Sequence, residues 1–199
     1  MKKFLLVTFS VIIIFYSGCE TTVIRVSPNS QIELSGYWND QDVKIVCEAL
    51  VKDCLASPRV NQAIRSFSRT PVVVVGRFRN ESSEHIDTGI IVSVMEKAIF
   101  DSGRLNFVAG SNVRDEIRAE RDAQQEHATP QTMARLGSEV GADFFMTGTV
   151  RSIIDREGNN SIRSYFVTAE LTNIETNERI WMGQNNEIKK IVIRPSNRF

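Results

Sequence analysis

The sequence predicts an α+β fold in which helices flank a mixed or antiparallel sheet that ends in a three-strand meander. Apolar residues recur at helical spacing in several segments of the first two-thirds, and a β-branched run interrupts them. The last third instead contains long strand-like stretches divided by turn residues. The 199 residues suffice for one ordinary domain, which we assign to residues 36–193.

Residues 1–18 have the anatomy of a lipoprotein signal peptide and are set apart from the fold. The positive "MKK" precedes the apolar run "FLLVTFSVIIIFY", which is too short to span a bilayer comfortably. Ser17 and Gly18 then precede Cys19, as in a lipobox, although Tyr16 stands where Leu is usual. We expect cleavage before Cys19 and lipidation of its thiol; the alternative is an uncleaved anchor with a chance cysteine.

A short tether is expected over residues 19–35, which lack helical period and contain one proline. Several acyl chains on Cys19 would hold the protein durably on a membrane. The next residue, Glu20, differs from the Asp that favours inner-membrane retention in enteric lipoproteins. This resemblance implies the periplasmic side of the outer membrane, with inner-membrane anchoring as the alternative.

The first helix is predicted to begin at a cap on Asn39 or Asp40 and to end before Pro58. Its apolar stripe recurs at intervals of four, three and four through Val43, Cys47, Leu50 and Cys54. Seven residues of helix rise about 10.5 Å. Because a disulfide needs Cα atoms within about 7 Å, the two cysteines are expected to be unpaired core residues.

A second short helix is predicted over residues 59–67, followed by the strand "PVVVVGRF" at 71–78, buried on both faces. The next helix is expected over 88–101, with Gly103 as its stop, and a strand over 105–109. Two more helices are expected before residue 141. The first of them, beginning after Ser111, is polar almost all round and is expected to lie exposed.

The meander is predicted from three long strands. Residues 143–155 and 162–174 flank "REGNNS", a loop of hairpin type, and "ETNE" then turns into "RIWMGQNNEIKKIVI". Residues 194–199 are expected to form a frayed tail.

The triplet Asp87-Thr88-Gly89 matches the signature of aspartic proteases. A solvated loop precedes it and a helical pattern follows, so a helix cap is the favoured interpretation. A dimeric protease remains the least favoured alternative.

Other enzyme classes find little support in the sequence. The chain has only two histidines, His85 and His127, and contains no nucleotide-binding glycine motif and no Cys/His cluster. We therefore expect no enzyme activity, no cofactor, no metal and no small-molecule substrate. Lys+Arg and Asp+Glu both number 24, which argues against nucleic acid as a partner.

Three stretches in this order and spacing resemble the LpoB family of outer-membrane lipoproteins: "LSGYWNDQD" at 34–42, "EHIDTG" at 84–89 and "GADFFMTGTVRSI" at 141–153. The resemblance covers about residues 34–192. It implies a sheet flanked by helices, similar to the N-terminal domain of TolB. It also implies a non-enzymatic protein that docks on a class A penicillin-binding protein and stimulates peptidoglycan synthesis.

The chain departs from the enteric members in its tether, which is about 16 residues in place of a long, Pro-rich linker. Fully extended, it reaches at most about 55 Å. Such a reach fits a partner that projects far outward, a thin envelope, an inner-membrane anchor or a different partner. A structural envelope lipoprotein, similar to TolB or part of a secretion apparatus, is therefore the alternative function.

The partner-binding surface is predicted on the polar loop 79–87 and on the polar helix after Ser111, because loops on rigid scaffolds often carry function. The alternative for both segments is solvated surface that contacts no partner. The candidate residues are Arg79, Asn80, Glu84, His85, Asp87, Arg118 and Arg121.

Overall fold

The computed structural model describes residues 24–27, 30, 35–108, 116–119 and 141–193. The chain divides into two compact units, Met1–Ile32 and Glu33–Phe199. In the first unit, residues 24–27 and 30 have no regular secondary structure. The expected signal peptide, Cys19, the second of the two helices predicted between Ser111 and residue 141, and the tail 194–199 lie outside the described residues. The second unit contains the helices and the sheet.

Helix α1, Asp40–Ala56, begins at a capping box and buries one apolar stripe. The Asn39 side chain accepts from the Asp42 amide at 3.0 Å, and the Asp42 carboxylate accepts from the Asn39 amide at 2.9 Å. Cys47 and Cys54 are buried in this stripe and form no disulfide, as predicted. Helix α2, Pro58–Arg65, follows directly because proline suits a first helical turn.

Strand β1, Val72–Asn80, helix α3, Thr88–Asp101, and strand β2, Asn106–Phe107, form a parallel βαβ unit. Asp87 caps α3, and Gly103 ends it with φ of 64°, as predicted. The prediction that β1 is buried on both faces holds only at the start of the strand, where the adjacent Val72 and Val73 are both buried. Val73, Val75 and Phe78 are buried, whereas Arg77 is exposed, because the described helices cover only one face.

Strands β3, Phe144–Glu157, and β4, Asn160–Asn173, pair along their whole length. The hairpin loop is therefore only Gly158–Asn159, shorter than the six-residue "REGNNS" loop that the sequence suggested. Gly158 has φ of 56°, a backbone conformation that glycine adopts without steric cost. The longer pairing satisfies backbone groups that an open loop would leave to water.

The third strand of the meander is split, which the sequence did not predict. Strand β5, Arg179–Asn185, pairs with the second half of β4, and strand β6, Lys189–Val192, pairs with its first half. Between them, the Asn185 side chain accepts from the Glu187 amide at 3.1 Å, and Ile188 is buried. The break thus lets one apolar side chain enter the core.

The sheet runs in the order β2-β1-β3-β4-β5, with β6 also beside β4. β1 is parallel to β2 and β3, and the remaining pairs are antiparallel, which confirms the α+β class with a mixed sheet and a C-terminal meander. Helices α1, α2 and α3 pack on one face of this sheet, named here the helix face. The opposite face, named the open face, is not covered by any helix among the described residues. The largest fully buried side chains include Phe78, Met95, Phe144, Met146 and Tyr165.

Candidate partner-binding surface

The candidate loop is shorter than expected, because Arg79 and Asn80 belong to strand β1 and pair in register with Thr149 and Val150. The side-chain amide of Asn80 donates to the Glu84 carbonyl at 2.7 Å, and its oxygen accepts from the Ser82 amide at 3.0 Å. Asn80 therefore shapes the loop that follows β1.

Glu84 points into the molecule and not into solvent. Its side chain is 7% exposed, and its two carboxylate oxygens accept from the Tyr165 hydroxyl at 2.9 and 2.8 Å. The Trp38 amide donates to the same carboxylate at 3.4 Å. Burial and the hydrogen bond to Glu84 raise the pKa of Tyr165. Through these hydrogen bonds, Glu84 connects its own loop and the segment around Trp38 to strand β4 of the sheet.

His85 and Asp87 are exposed at the end of the loop. The Asp87 carboxylate accepts from the Gly89 amide at 2.8 Å and caps helix α3, which confirms the helix-cap interpretation of the Asp-Thr-Gly triplet. Arg118 is exposed within the helical residues 116–119, and Arg121 lies outside the described residues.

A row of arginines on the open face extends the surface beyond Arg79. Alternation along the strands places Arg77 and Arg79 of β1, Arg151 of β3 and Arg179 of β5 around one shallow cleft of about 650 Å³. Thr149 and Thr168 share a hydrogen bond of 2.7 Å on its floor. Arg77, Arg151 and Arg179 were not predicted as site residues from the sequence, although the alternation of odd-numbered positions along β3 was a usable signal.

The charges of this cleft are unequal. The Glu81 carboxylate lies 2.7 Å from Arg151 and 3.7 Å from Arg79, and Glu170 lies 2.8 Å from Arg179. Arg77 forms no ion pair with any residue that the structure describes. Among the described residues, four guanidinium groups against two carboxylates give the cleft a net positive charge, which favours contact with acidic groups.

Exposed apolar side chains accompany these charges on the open face. Phe145 and Met182 line the cleft, and Ile153 and Ile191 lie exposed on the same face toward the β3–β4 hairpin. Protein interfaces are enriched in aromatic residues, methionine and arginine. The combination is typical of a surface that another protein covers.

Reactive chemistry finds little support in the described residues. Burial, with a smaller effect of Glu48 and Asp53, raises the pKa of both Cys47 and Cys54 to about 12, so their thiols stay protonated at neutral pH. Among the described ranges, no group of three His, Cys, Asp or Glu side chains is placed to hold a metal ion.

Within the same ranges, no helix combines the length and hydropathy needed to cross a bilayer.

Comparison with known proteins gives one family match. The family model described as "Peptidoglycan-synthase activator LpoB" matches residues 42–187. No curated protein sequence matches the chain significantly.

Several solved structures are similar to the chain. The LpoB C-terminal domain from Escherichia coli is 17% identical with a TM-score of 0.44, and the match covers 77% of this chain and 99% of that one. The LpoB C-terminal domain from Salmonella enterica is 16% identical with a TM-score of 0.40 and the same coverage. Lipoprotein GNA1162 from Neisseria meningitidis is 16% identical with a TM-score of 0.40, covering 64% of this chain and 88% of that one.

Proposed function

The chain belongs to the LpoB family of peptidoglycan-synthase activators, and we propose that it is a lipid-anchored envelope protein that binds and activates a class A penicillin-binding protein. The observation that carries the proposal is the family match over residues 42–187, which includes the whole described sheet except its last strand. The protein acts without catalysing a reaction. Its binding favours the active conformer of the synthase and thereby raises the population of that conformer.

We place the anchor on Cys19, with the domain on the periplasmic side of the outer membrane. The tether of about 16 residues then limits the reach of the domain to about 55 Å from the membrane. The synthase must therefore present its docking domain within that distance, or the anchor is in the inner membrane. Mass spectrometry of the native amino terminus checks the anchor, since an unmodified Cys19 with residues 1–18 attached contradicts it.

The docking surface in this proposal is the open face around Arg79, together with the exposed loop residues His85 and Asp87 and with Arg118 and Arg121. Arginines can form bidentate hydrogen bonds with carboxylates, and the neighbouring Phe145 and Met182 supply apolar contact area. The partner surface is expected to carry Asp or Glu side chains around an apolar centre. Glu84 and Asn80 contribute indirectly, because their hydrogen bonds hold the loop in shape.

Binding of the purified chain to purified class A synthases tests this proposal. The double charge reversal Arg79→Glu/Arg151→Glu should weaken binding about a hundredfold or more, because each close charge pair across an interface contributes about 1.5 kcal/mol or more. Arg65→Glu is the matched control, since Arg65 is an exposed arginine on helix α2, which packs on the helix face. Binding that is unaffected by the double reversal would exclude the open face as the docking surface.

Crosslinking in cells separates this proposal from the alternative of a structural envelope lipoprotein. The activator proposal predicts that class A synthases are recovered with the chain. Recovery of other envelope machinery without any synthase would favour the structural alternative.

A further inference from the structure

A second cleft lies on the helix face at the β3–β4 hairpin, away from the open face. It has a volume of about 380 Å³, within the range of small-molecule sites. Its lining is polar and includes Tyr37, Arg156, Asn159, Asn160, Ser161 and Arg163. Ser161 and Arg163 lie on the same face of β4 as the buried Tyr165, which places the cleft beside the core.

Arg163 is a buried cation whose donors are incompletely used. Its side chain is 5% exposed, and its guanidinium lies against the Tyr37 ring at 3.7 Å from the ring centre. The carboxylate of Glu84 is 3.6 Å from Nε, beyond hydrogen-bond distance, and is held by the Tyr165 hydroxyl. Nε and Nη1 donate to no described residue. Buried donors of this kind are normally satisfied, since leaving them unpaired costs stability.

The charges around the cleft favour an anionic ligand. Arg156 and Arg163 line it, and no carboxylate of the described residues does. Among the described residues, Glu84 forms an ion pair with Arg163 at 3.6 Å and Asp42 forms one with Lys190 at 2.6 Å, so Arg156 supplies the net positive charge. A planar guanidinium binds a carboxylate through two parallel hydrogen bonds.

The neutral groups of the cleft favour a ligand with peptide bonds. The amides of Asn159 and Asn160 and the hydroxyl of Ser161 can each both donate and accept. Peptide N–H and C=O groups are complementary to such side chains, whereas a phosphate offers mainly acceptors.

We propose that this hairpin cleft binds the terminal carboxylate of a short peptide, with Arg163 and Arg156 holding the carboxylate and the asparagines holding the peptide backbone. Two sources of such a group exist in the compartment proposed above, the D-alanine ends of peptidoglycan stem peptides and the L-amino-acid ends of proteins. The inference does not depend on synthase binding, because it rests on a cleft of the opposite face.

Calorimetric titration of the full chain with acetyl-D-alanyl-D-alanine and acetyl-L-alanyl-L-alanine tests the proposal, with the corresponding amides as controls. At least one acid should bind, and its amide should bind about tenfold more weakly or worse, because a charge-assisted bidentate contact is lost. The acid that binds better identifies the source. Equal affinity for acid and amide, absence of binding by both acids, or binding of inorganic phosphate alone would overturn the proposal.

Two variants locate the site on the cleft. Arg163→Lys should reduce the affinity for the acid about tenfold, because lysine cannot donate in a planar fork. Because Arg163 is buried, its variant needs a thermal melt as a folding check, and the exposed Arg156→Gln provides a second test that leaves the core intact. Arg151→Lys on the open face is the control and should bind the acid normally. Undiminished binding by Arg156→Gln and by folded Arg163→Lys would contradict the assignment.

Discussion

The buried ion pair between Lys190 and Asp42 provides a sharp test of how the domain is held together. Lys190 Nζ lies 2.6 Å from the Asp42 carboxylate, and the two side chains are 10% and 4% exposed. The pair connects the first turn of helix α1 to strand β6. Lys190→Met removes the charge and keeps most of the aliphatic stem, so that the Asp42 carboxylate stays buried without this cation.

The expected loss in the free energy of unfolding is about 3 kcal/mol, the lower part of the range for removing one partner of a buried pair. The lower part applies because Asp42 keeps its hydrogen bond from the Asn39 amide at 2.9 Å. Lys190 also donates to the Tyr37 carbonyl at 2.9 Å, and that bond is lost as well. Since domains are stable by only about 5–15 kcal/mol, the change is a large fraction of the total.

Urea unfolding followed by tryptophan fluorescence measures this loss for Lys190→Met, Asp42→Asn and the double variant. Lys97→Met is the matched control. Lys97 forms an ion pair with Asp101 at 2.7 Å, nearly the same distance as in the buried pair, but on the exposed surface of helix α3. The control should cost no more than about 0.5 kcal/mol. The double variant should lose less than the sum of the single losses. If Lys190→Met lowers the free energy of unfolding no more than Lys97→Met does, burial does not strengthen the contribution of the Lys190–Asp42 pair, and the reasoning is wrong.

Three further predictions concern the core. Gly148→Ala should lower the free energy of unfolding in urea by about 1–3 kcal/mol, because the added Cβ would clash with the Thr168 carbonyl of β4 and the Phe78 ring. An unchanged midpoint of the urea unfolding curve would contradict this packing. Met95 is fully buried on α3, so Met95→Ala should lower the free energy of unfolding by about 2–5 kcal/mol. A loss below about 1 kcal/mol would mean that neighbouring side chains fill the cavity, contrary to this prediction. Cys47 and Cys54 should resist thiol reagents at pH 8 until urea unfolds the chain. Because burial raises their pKa from 9.0 to about 12, stability should fall as pH rises across this interval, and a flat profile in a pH-dependent melt would contradict it.

Features set by neighbouring residues could be predicted from the sequence. The start of helix α1 depends on Asn39 and Asp42, three positions apart, and the start of α3 depends on Asp87 and the amide two residues later. The stop at Gly103 is equally local, since only its own φ decides it. For the same reason the two buried cysteines could be placed on one helix face.

Features set by distant pairing could not be predicted in this way. Glu84 looked like a solvated loop residue, because its partner Tyr165 is 81 positions away along the chain. The arginine cleft of the open face likewise requires the register of β1 against β3, which brings Arg79 opposite Thr149 and near Arg151. The split of the third strand depends on the 14-residue length of β4, which is long enough to pair with both pieces.

Glycan polymerisation by a purified class A penicillin-binding protein, measured with increasing amounts of the purified chain, tests the proposed activation most directly. The account predicts a rate that rises and saturates with the wild-type chain and with Arg65→Glu, and that stays near the basal rate with Arg79→Glu/Arg151→Glu. A basal rate that no amount of wild-type chain increases, with any class A synthase of the organism, would contradict it.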